Sequence, residues 1–153
     1  VIVFTASVRA YADKLLDILD PSGTLFTCRM YREHCTPLDG CYTKDLRLLG
    51  RELARTVIVE NTPLSYCYQP QNAVLVPTWV TDDADTELIL LAALLPELAA
   101  ASDVRDVLKL RCRMLGVMSA WEHGSACSSI FSGGEDGEGT EGEDEDILEA
   151  ADG

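Results

Sequence analysis

An α/β fold built on a parallel sheet is the architecture this sequence predicts, and three observations carry it. Short apolar runs rich in β-branched residues, Val1 to Phe4 and Thr56 to Val59, have the length and composition of strands buried on both faces. Between and after them, apolar residues recur at helical spacing, so strand and helix alternate along the chain. Small polar clusters, Thr5 to Ser7 and Glu60 to Thr62, directly follow the two strand-like runs. In parallel α/β sheets, ligands bind beyond the carboxyl ends of the strands, so both clusters are candidate sites.

Each element has its own local reason. Val1 to Phe4 predicts a fully buried strand. Val8, Tyr11, Ala12, Leu15, Leu16 and Leu19 then share a helix face, which ends before the turn signal Pro21-Ser22-Gly23. Leu25 to Tyr31 alternates loosely and reads as one arm of a strand pair. Asp39-Gly40 is a hairpin turn, because both residues tolerate positive φ. Asp45 is a helix N-cap ahead of Leu46, Leu48, Leu49 and Leu53, with an interruption at Gly50. After the strand at 56–59, a short helix starts near Pro63, and Ala73 to Val76 forms a third short strand. Asp82, Asp83 and Asp85 precede a leucine-rich helix, where acidic side chains suit the helix dipole; Pro96 kinks that helix or starts a new turn. A last helix runs from Ser102-Asp103 to about Arg113.

Composition sets the limits. The 153 residues suit one domain with a real core, and 47% of them are hydrophobic. The longest apolar run, Leu88 to Leu95, is too short to cross a bilayer, which needs about 18 residues or more. The net charge of −14 is concentrated at one end. From Gly133 to Gly153 there are ten acidic residues and no Lys or Arg, against 16 acidic and 12 basic residues in the remainder. That pattern divides the chain into a domain over 1–113, a linker over 114–132 and a disordered acidic tail over 133–153. The tail solubilises the chain, and a basic partner is its functional alternative. No basic face speaks for direct nucleic-acid binding. An apolar start without Met or a cap reads as a chain cut from a longer one, so any targeting signal would lie upstream.

Six cysteines, at 28, 35, 41, 67, 112 and 127, include no Cys-x-x-Cys pair. Cys28, His34, Cys35 and Cys41 could be set out as a zinc site, but their spacing matches no standard finger, and buried, inert thiols are the preferred reading.

The strand-end residues suit phosphate chemistry. A phosphoryl group needs donors for its oxygens, a cation to offset their charge and hard oxygen ligands for a metal. Thr5 offers a hydroxyl, Lys44 lies at a strand-to-helix junction, and Glu60 and Asn61 offer oxygens that suit magnesium. Each also has a plainer role: Thr5 as a helix cap, Lys44 as a solvated surface charge, Glu60-Asn61 as a turn.

Taken together, these residues lie within longer motifs: Val3-Phe4-Thr5-Ala6-Ser7, Tyr11-Ala12-Asp13, Tyr31-Arg32-Glu33-His34-Cys35, Tyr42-Thr43-Lys44-Asp45-Leu46, Leu49-Gly50-Arg51-Glu52-Leu53, Val57-Ile58-Val59-Glu60-Asn61-Thr62-Pro63, Gln69-Pro70-Gln71-Asn72-Ala73 and Asp85-Thr86-Glu87-Leu88. In this order they resemble the small C-terminal-domain (NLI-interacting-factor-like) phosphatases of the haloacid dehalogenase superfamily, from Val1 to about Leu110. The resemblance implies a Rossmannoid three-layer sandwich with a parallel sheet, from which this chain lacks the first strand, the one that carries the nucleophile. It implies a magnesium-dependent phosphatase acting on phosphoserine or phosphothreonine proteins such as the RNA polymerase II tail, in the nucleus or cytoplasm. It implies Thr5 and Lys44 as catalytic groups, Arg32, Val8 and Tyr11 at the substrate peptide, and Asn61 with Glu60 at the metal. For Arg32 the plainer reading is a surface ion pair with Glu33 or a nearby acid; for Val8 and Tyr11 it is core packing.

Two departures qualify this. The family's Asp-x-Asp-x-Thr motif, which carries nucleophile and general acid, is absent, and Asp13, Asp17 and Asp20 fall in or just after the first helix. Glu60 stands where the family usually has Asp. The neighbours of an absent central strand would have unpaired edges, which predicts a poorly stable, aggregation-prone chain. The alternatives are a pseudophosphatase, or a non-catalytic peptide-binding module like the mitochondrial import subunit of the same fold.

Overall fold

The computed structural model describes residues 1–115, so the linker beyond 115, the acidic tail and Cys127 lie outside the described residues. Within them the chain is a mixed α/β structure with three α-helices and three small two-stranded sheets, two of them parallel.

The first apolar run forms β1 (Ile2–Phe4), which pairs in parallel with β2 (Cys28–Met30), Ile2 facing Cys28 and Phe4 facing Met30. Helix α1 (Arg9–Leu19) connects them and turns Ala12 and Leu16 inward onto Tyr31, Val3 and Phe26. It stops at Asp20, whose buried carboxylate accepts the backbone N–H groups of Thr24, Leu25 and Phe26 at 2.9, 2.9 and 3.1 Å. These bonds outweigh the burial that would raise the Asp20 pKa and hold it below the usual carboxylate value. The 21–23 turn is thereby tied to the start of β2.

The hairpin falls where the sequence places it. β3 (Thr36–Leu38) and β4 (Cys41–Thr43) are antiparallel, joined by Asp39 at φ 46° and Gly40 at φ 74°. Asp45 caps the turn at Leu46–Leu49 by accepting from the Arg47 N–H at 3.0 Å, and Gly50 closes it at φ 61°. That turn is 3-10 rather than α. Next, β5 (Ile58–Glu60) pairs in parallel with β6 (Ala73–Leu75). Asn72 sits 2% exposed just before β6 and donates to the Leu53 and Thr56 carbonyls at 2.6 and 2.8 Å, which fixes the approach to β5. Helix α2 (Glu87–Ala100) runs through Pro96, so of the two alternatives the proline does not start a new turn. Its Leu94 and Leu98 pack with Val104 and Leu108 of α3 (Val104–Leu115), and Val57 and Val74 lie against the same cluster.

Two expectations need correction. The strands do not join into one parallel sheet, because no strand among the described residues bridges β1 and β5. For the same reason β1 is not fully buried: Ile2 to Phe4 are half-buried, and Val1 is 81% exposed. Between the two parallel pairs runs a groove of about 830 Å³, lined by Ile2, Phe4, Leu49, Val57, Val59 and Leu95 among others.

Candidate functional site

The chain leaves β1 into Thr5-Ala6-Ser7. The Thr5 N–H continues the ladder to the Met30 carbonyl at 2.9 Å, while its Oγ1 accepts the Ser7 N–H at 3.1 Å. Thr5 thus folds the strand end into a tight turn. It does not cap α1, whose N-cap is Val8 with no side-chain bond.

Arg32 converges on this turn. Its backbone N–H donates to the Ser7 carbonyl at 3.1 Å, and its Nε donates to the Ala6 carbonyl at 2.7 Å. The guanidinium lies over the Tyr42 ring at 5.0 Å. The expected ion pair with Glu33 is absent among the described residues; Glu33 pairs with Arg9 at 3.0 Å instead. Arg32 is therefore held by a carbonyl and a ring, with no carboxylate paired to it among the described residues.

Lys44 follows β4. It is 7% exposed, so it is not a solvated surface charge. Its backbone N–H donates to the Ser65 carbonyl at 2.7 Å, and its ammonium is bonded to the buried carboxylate of Glu60 at the end of β5. The other Glu60 oxygen, Oε1, accepts the N–H groups of Asn61 and Thr62 at 3.0 and 3.2 Å. Glu60 is thus a turn-former and an ion-pair partner at once.

Cys35 ties the end of β1 to the end of β2. Its thiol lies 3.7 Å from both the Thr5 and the Tyr31 carbonyls. Burial pushes its pKa up, opposed by the nearby charges of Lys44 and Arg32 and assisted by those of Glu33 and Glu60. Arg32 at the β1 turn lies over Tyr42, two residues before Lys44, which pairs with Glu60 at the end of β5.

The same geometry tests magnesium. The ion takes about six hard oxygens in near-octahedral array. Here the Glu60 oxygens already have Lys44, Asn61 and Thr62 as partners, and Asn61 Oδ1 lies 3.4 Å from the Thr62 hydroxyl while its amide nitrogen donates to Thr78 at 2.9 Å. No cluster of three or more His, Cys, Asp or Glu converges among the described residues. These residues alone do not fit a magnesium centre.

Val8 and Tyr11 are not core residues. They are 46% and 66% exposed, beside the Thr5 turn, because α1 buries the Ala12 and Leu16 face. Among the described residues Cys28 and Cys41 are exposed, Cys112 is half-buried, and Cys35 and Cys67 are buried, so the reading of inert, buried thiols holds for part of the set.

Sequence reasoning missed the network that supports Arg32. Tyr31 is 2% exposed, and its hydroxyl bonds the Asp13 carboxylate, which lowers the Asp13 pKa and raises that of Tyr31. Arg29 bridges Asp13 and Asp17 at 3.2 and 2.7 Å, and Arg9 stacks on the Tyr31 ring at 4.1 Å. Asp13, Asp17 and Asp20 are thus committed to structure. The signal was present in the Tyr-x-x-His spacing, since His34 Nδ1 accepts the Tyr31 N–H at 2.9 Å and fixes that turn.

Comparison with known proteins gives this geometry its context. The family model described as NLI interacting factor-like phosphatase matches residues 1–105. The chain is 48% identical over 103 residues to the human protein named carboxy-terminal domain RNA polymerase II polypeptide A small phosphatase 2, covering 67% of this chain and 38% of that one. It is 46% identical over 108 residues to a probable C-terminal domain small phosphatase of Dictyostelium discoideum, covering 71% and 35%. It is 39% identical over 110 residues to nuclear envelope morphology protein 1 of Schizosaccharomyces pombe, covering 72% and 23%. The chain therefore spans well under half the length of these relatives. With a family model matched over most of its length, the chain belongs to the NLI interacting factor-like phosphatase family.

Proposed function

We propose that this chain is the larger part of a phosphoprotein phosphatase domain of the haloacid dehalogenase type, acting on phosphoserine or phosphothreonine segments such as the RNA polymerase II tail. The observation that carries the reading is the placement of these side chains at two parallel-strand ends: Thr5 shapes the turn after β1, Arg32 bonds that turn, and Lys44 pairs with Glu60 at the end of β5. In that reading Thr5 donates to a phosphoryl oxygen, Lys44 leaves Glu60 to offset the transferred charge, and Arg32 with the exposed Val8 and Tyr11 receives the peptide. The nucleophile is an aspartate that this chain does not hold. Its carboxylate oxygen attacks phosphorus in line as the bond to the serine oxygen breaks, and the departing serine takes a proton from a second acid. One water then cleaves the aspartyl phosphate to phosphate and regenerated aspartate.

Magnesium belongs with the carboxylates of that same outside segment; Asn61 is the residue here that would join them, with Glu60 as its neighbour. Without the segment the chain alone is inactive. The full three-layer sandwich is likewise completed by a strand between β1 and β5. The names of the human and fission-yeast relatives favour the nucleus over the cytoplasm or the mitochondrion. Sequencing the transcript ahead of Val1 tests the proposal. An in-frame Asp-x-Asp-x-Thr after an apolar strand is the expected result; its absence leaves a pseudophosphatase or a peptide-binding module.

A further inference from the structure

We propose that Tyr42 is a positioning residue: its ring backs the Arg32 guanidinium, so that the terminal nitrogens of Arg32 are presented to the phosphate of an incoming phosphoserine peptide. The proposal rests on the reading of these strand ends as a phosphopeptide site. Three arginines among the described residues lie over tyrosine rings: Arg9 over Tyr31 at 4.1 Å, Arg32 over Tyr42 at 5.0 Å and Arg47 over Tyr68 at 5.5 Å. Two of these also pair with a carboxylate, Arg9 with Glu33 and Arg47 with Asp45. Arg32 is the one of the three without a carboxylate. Its Nε donates to the Ala6 carbonyl at 2.7 Å, and its Nη1 and Nη2 have no partner among the described residues. A guanidinium is a rigid planar fork. With Nε bonded and a ring behind it, its rotation is restricted, and the two terminal nitrogens can take two oxygens of one phosphate.

The core does not account for the ring. Tyr42 stands on β4, 37% exposed, and belongs to none of the buried apolar clusters. Its neighbours fix the strand instead. Thr43, 0% exposed, donates through Oγ1 to the Leu64 carbonyl at 3.1 Å, and the Lys44 N–H donates to the Ser65 carbonyl at 2.7 Å. Side chains alternate along a strand, so anchoring Thr43 inward holds Tyr42 outward. Across the hairpin Tyr42 is paired in register with Pro37, a short and rigid neighbour on the same face. One strand thus serves both cations: Lys44 through the backbone that follows it, and Arg32 through the Tyr42 ring. A leucine in place of Tyr42 would keep an apolar side chain there but offer no π face to the guanidinium.

The probe is a fluorescent phosphoserine heptad peptide, titrated into the full 153-residue chain and followed by anisotropy. Tyr42→Leu should weaken binding about two- to fivefold, the range of an exposed cation–π contact, and Tyr42→Phe, which restores a ring, should recover the loss. Tyr68→Leu removes the like stack on Arg47 and should not weaken binding. In an Arg32→Gln background, Tyr42→Leu should have no further effect, because the ring acts through Arg32. Undiminished binding by Tyr42→Leu, an equal loss from Tyr68→Leu, or a loss that persists without Arg32 would overturn the proposal, the last two by showing a general packing effect. Side-chain NMR gives a second readout. The Arg32 Nε–H resonance, assigned by its disappearance in Arg32→Gln, should exchange with water faster in Tyr42→Leu and return to the parent rate in Tyr42→Phe; one rate in all three proteins would overturn the proposal equally. A parent chain that binds the phosphopeptide no better than its unphosphorylated form sinks the phosphopeptide reading and this proposal with it, whereas a binding parent with silent Tyr42 variants sinks this proposal alone.

Discussion

Replacing Lys44 with Met should expose how much of the strand-end site depends on one ion pair. The side chains of Lys44 and Glu60 are each 9% exposed, so neither charge is well solvated. Removing one partner of a buried pair costs about 3–5 kcal/mol, because the remaining charge stays desolvated. Glu60 keeps the Asn61 and Thr62 N–H donors, which places the cost near the lower end, about 3 kcal/mol. That corresponds to a roughly 150-fold rise in the population of open forms. The double variant Lys44→Met, Glu60→Gln leaves no orphaned charge and should return most of the loss, to within about 1 kcal/mol of the parent. Native-state proteolysis at low temperature suits the measurement, since cleavage follows the open population and needs no cooperative melt. If the two single changes each cost less than about 1 kcal/mol and simply add in the double variant, the pair is not the buried, coupled unit described here.

Other outcomes follow from the same geometry. Asn72→Ala strips two buried carbonyls, those of Leu53 and Thr56, of their side-chain donor, and should cost about 1–3 kcal/mol by the same proteolysis assay. Acid should loosen the chain at two carboxylates. Asp20 and Asp103 have folded pKa values below the ordinary one, so what they contribute is complete above the unfolded carboxylate pKa of about 3.9 and is lost as pH falls through the folded value. For Asp103, held at about 2 by the Arg105 side chain and its backbone N–H, loss of the bond should be visible by NMR only near that pH. The open edges of β1 and β5 should make the isolated chain self-associate on warming, seen by light scattering; a cooperative melt of a soluble monomer would count against that.

Much of the fold was legible because its signals are local. Asp39-Gly40 needs positive φ at both residues and marked the hairpin. Asp45 was readable as a cap because its carboxylate serves an N–H two residues on. Strand-like runs at 1–4 and 56–59 came from composition alone; the first matches β1, the second overlaps β5 with its start two residues early, and β1 was read as too deeply buried. Burial is a tertiary property: what covers β1 depends on whether a strand lies between it and β5. The site was legible as a list of residues and not as a set of partners. Lys44 and Glu60 lie 16 positions apart, and nothing local couples them. Nor did spacing show that Glu33 would take Arg9 and leave Arg32 to the Ala6 carbonyl. The α1 periodicity marked an apolar stripe containing Val8, Tyr11, Ala12 and Leu16 together; only packing decides that Ala12 and Leu16 go inward while Val8 and Tyr11 stay out.

Joining to Val1 the segment that precedes the matched region in the human relative tests most directly whether these strand ends form a phosphatase site. Phosphate release from a phosphoserine heptad peptide would be compared for the chain alone, the chimera, and the chimera with Thr5→Ala or Lys44→Met. No release is expected from the chain alone, and release by the chimera should fall about 10²-fold or more with either substitution. A chimera that is folded by circular dichroism yet releases no phosphate, or one indifferent to Lys44→Met, would contradict it.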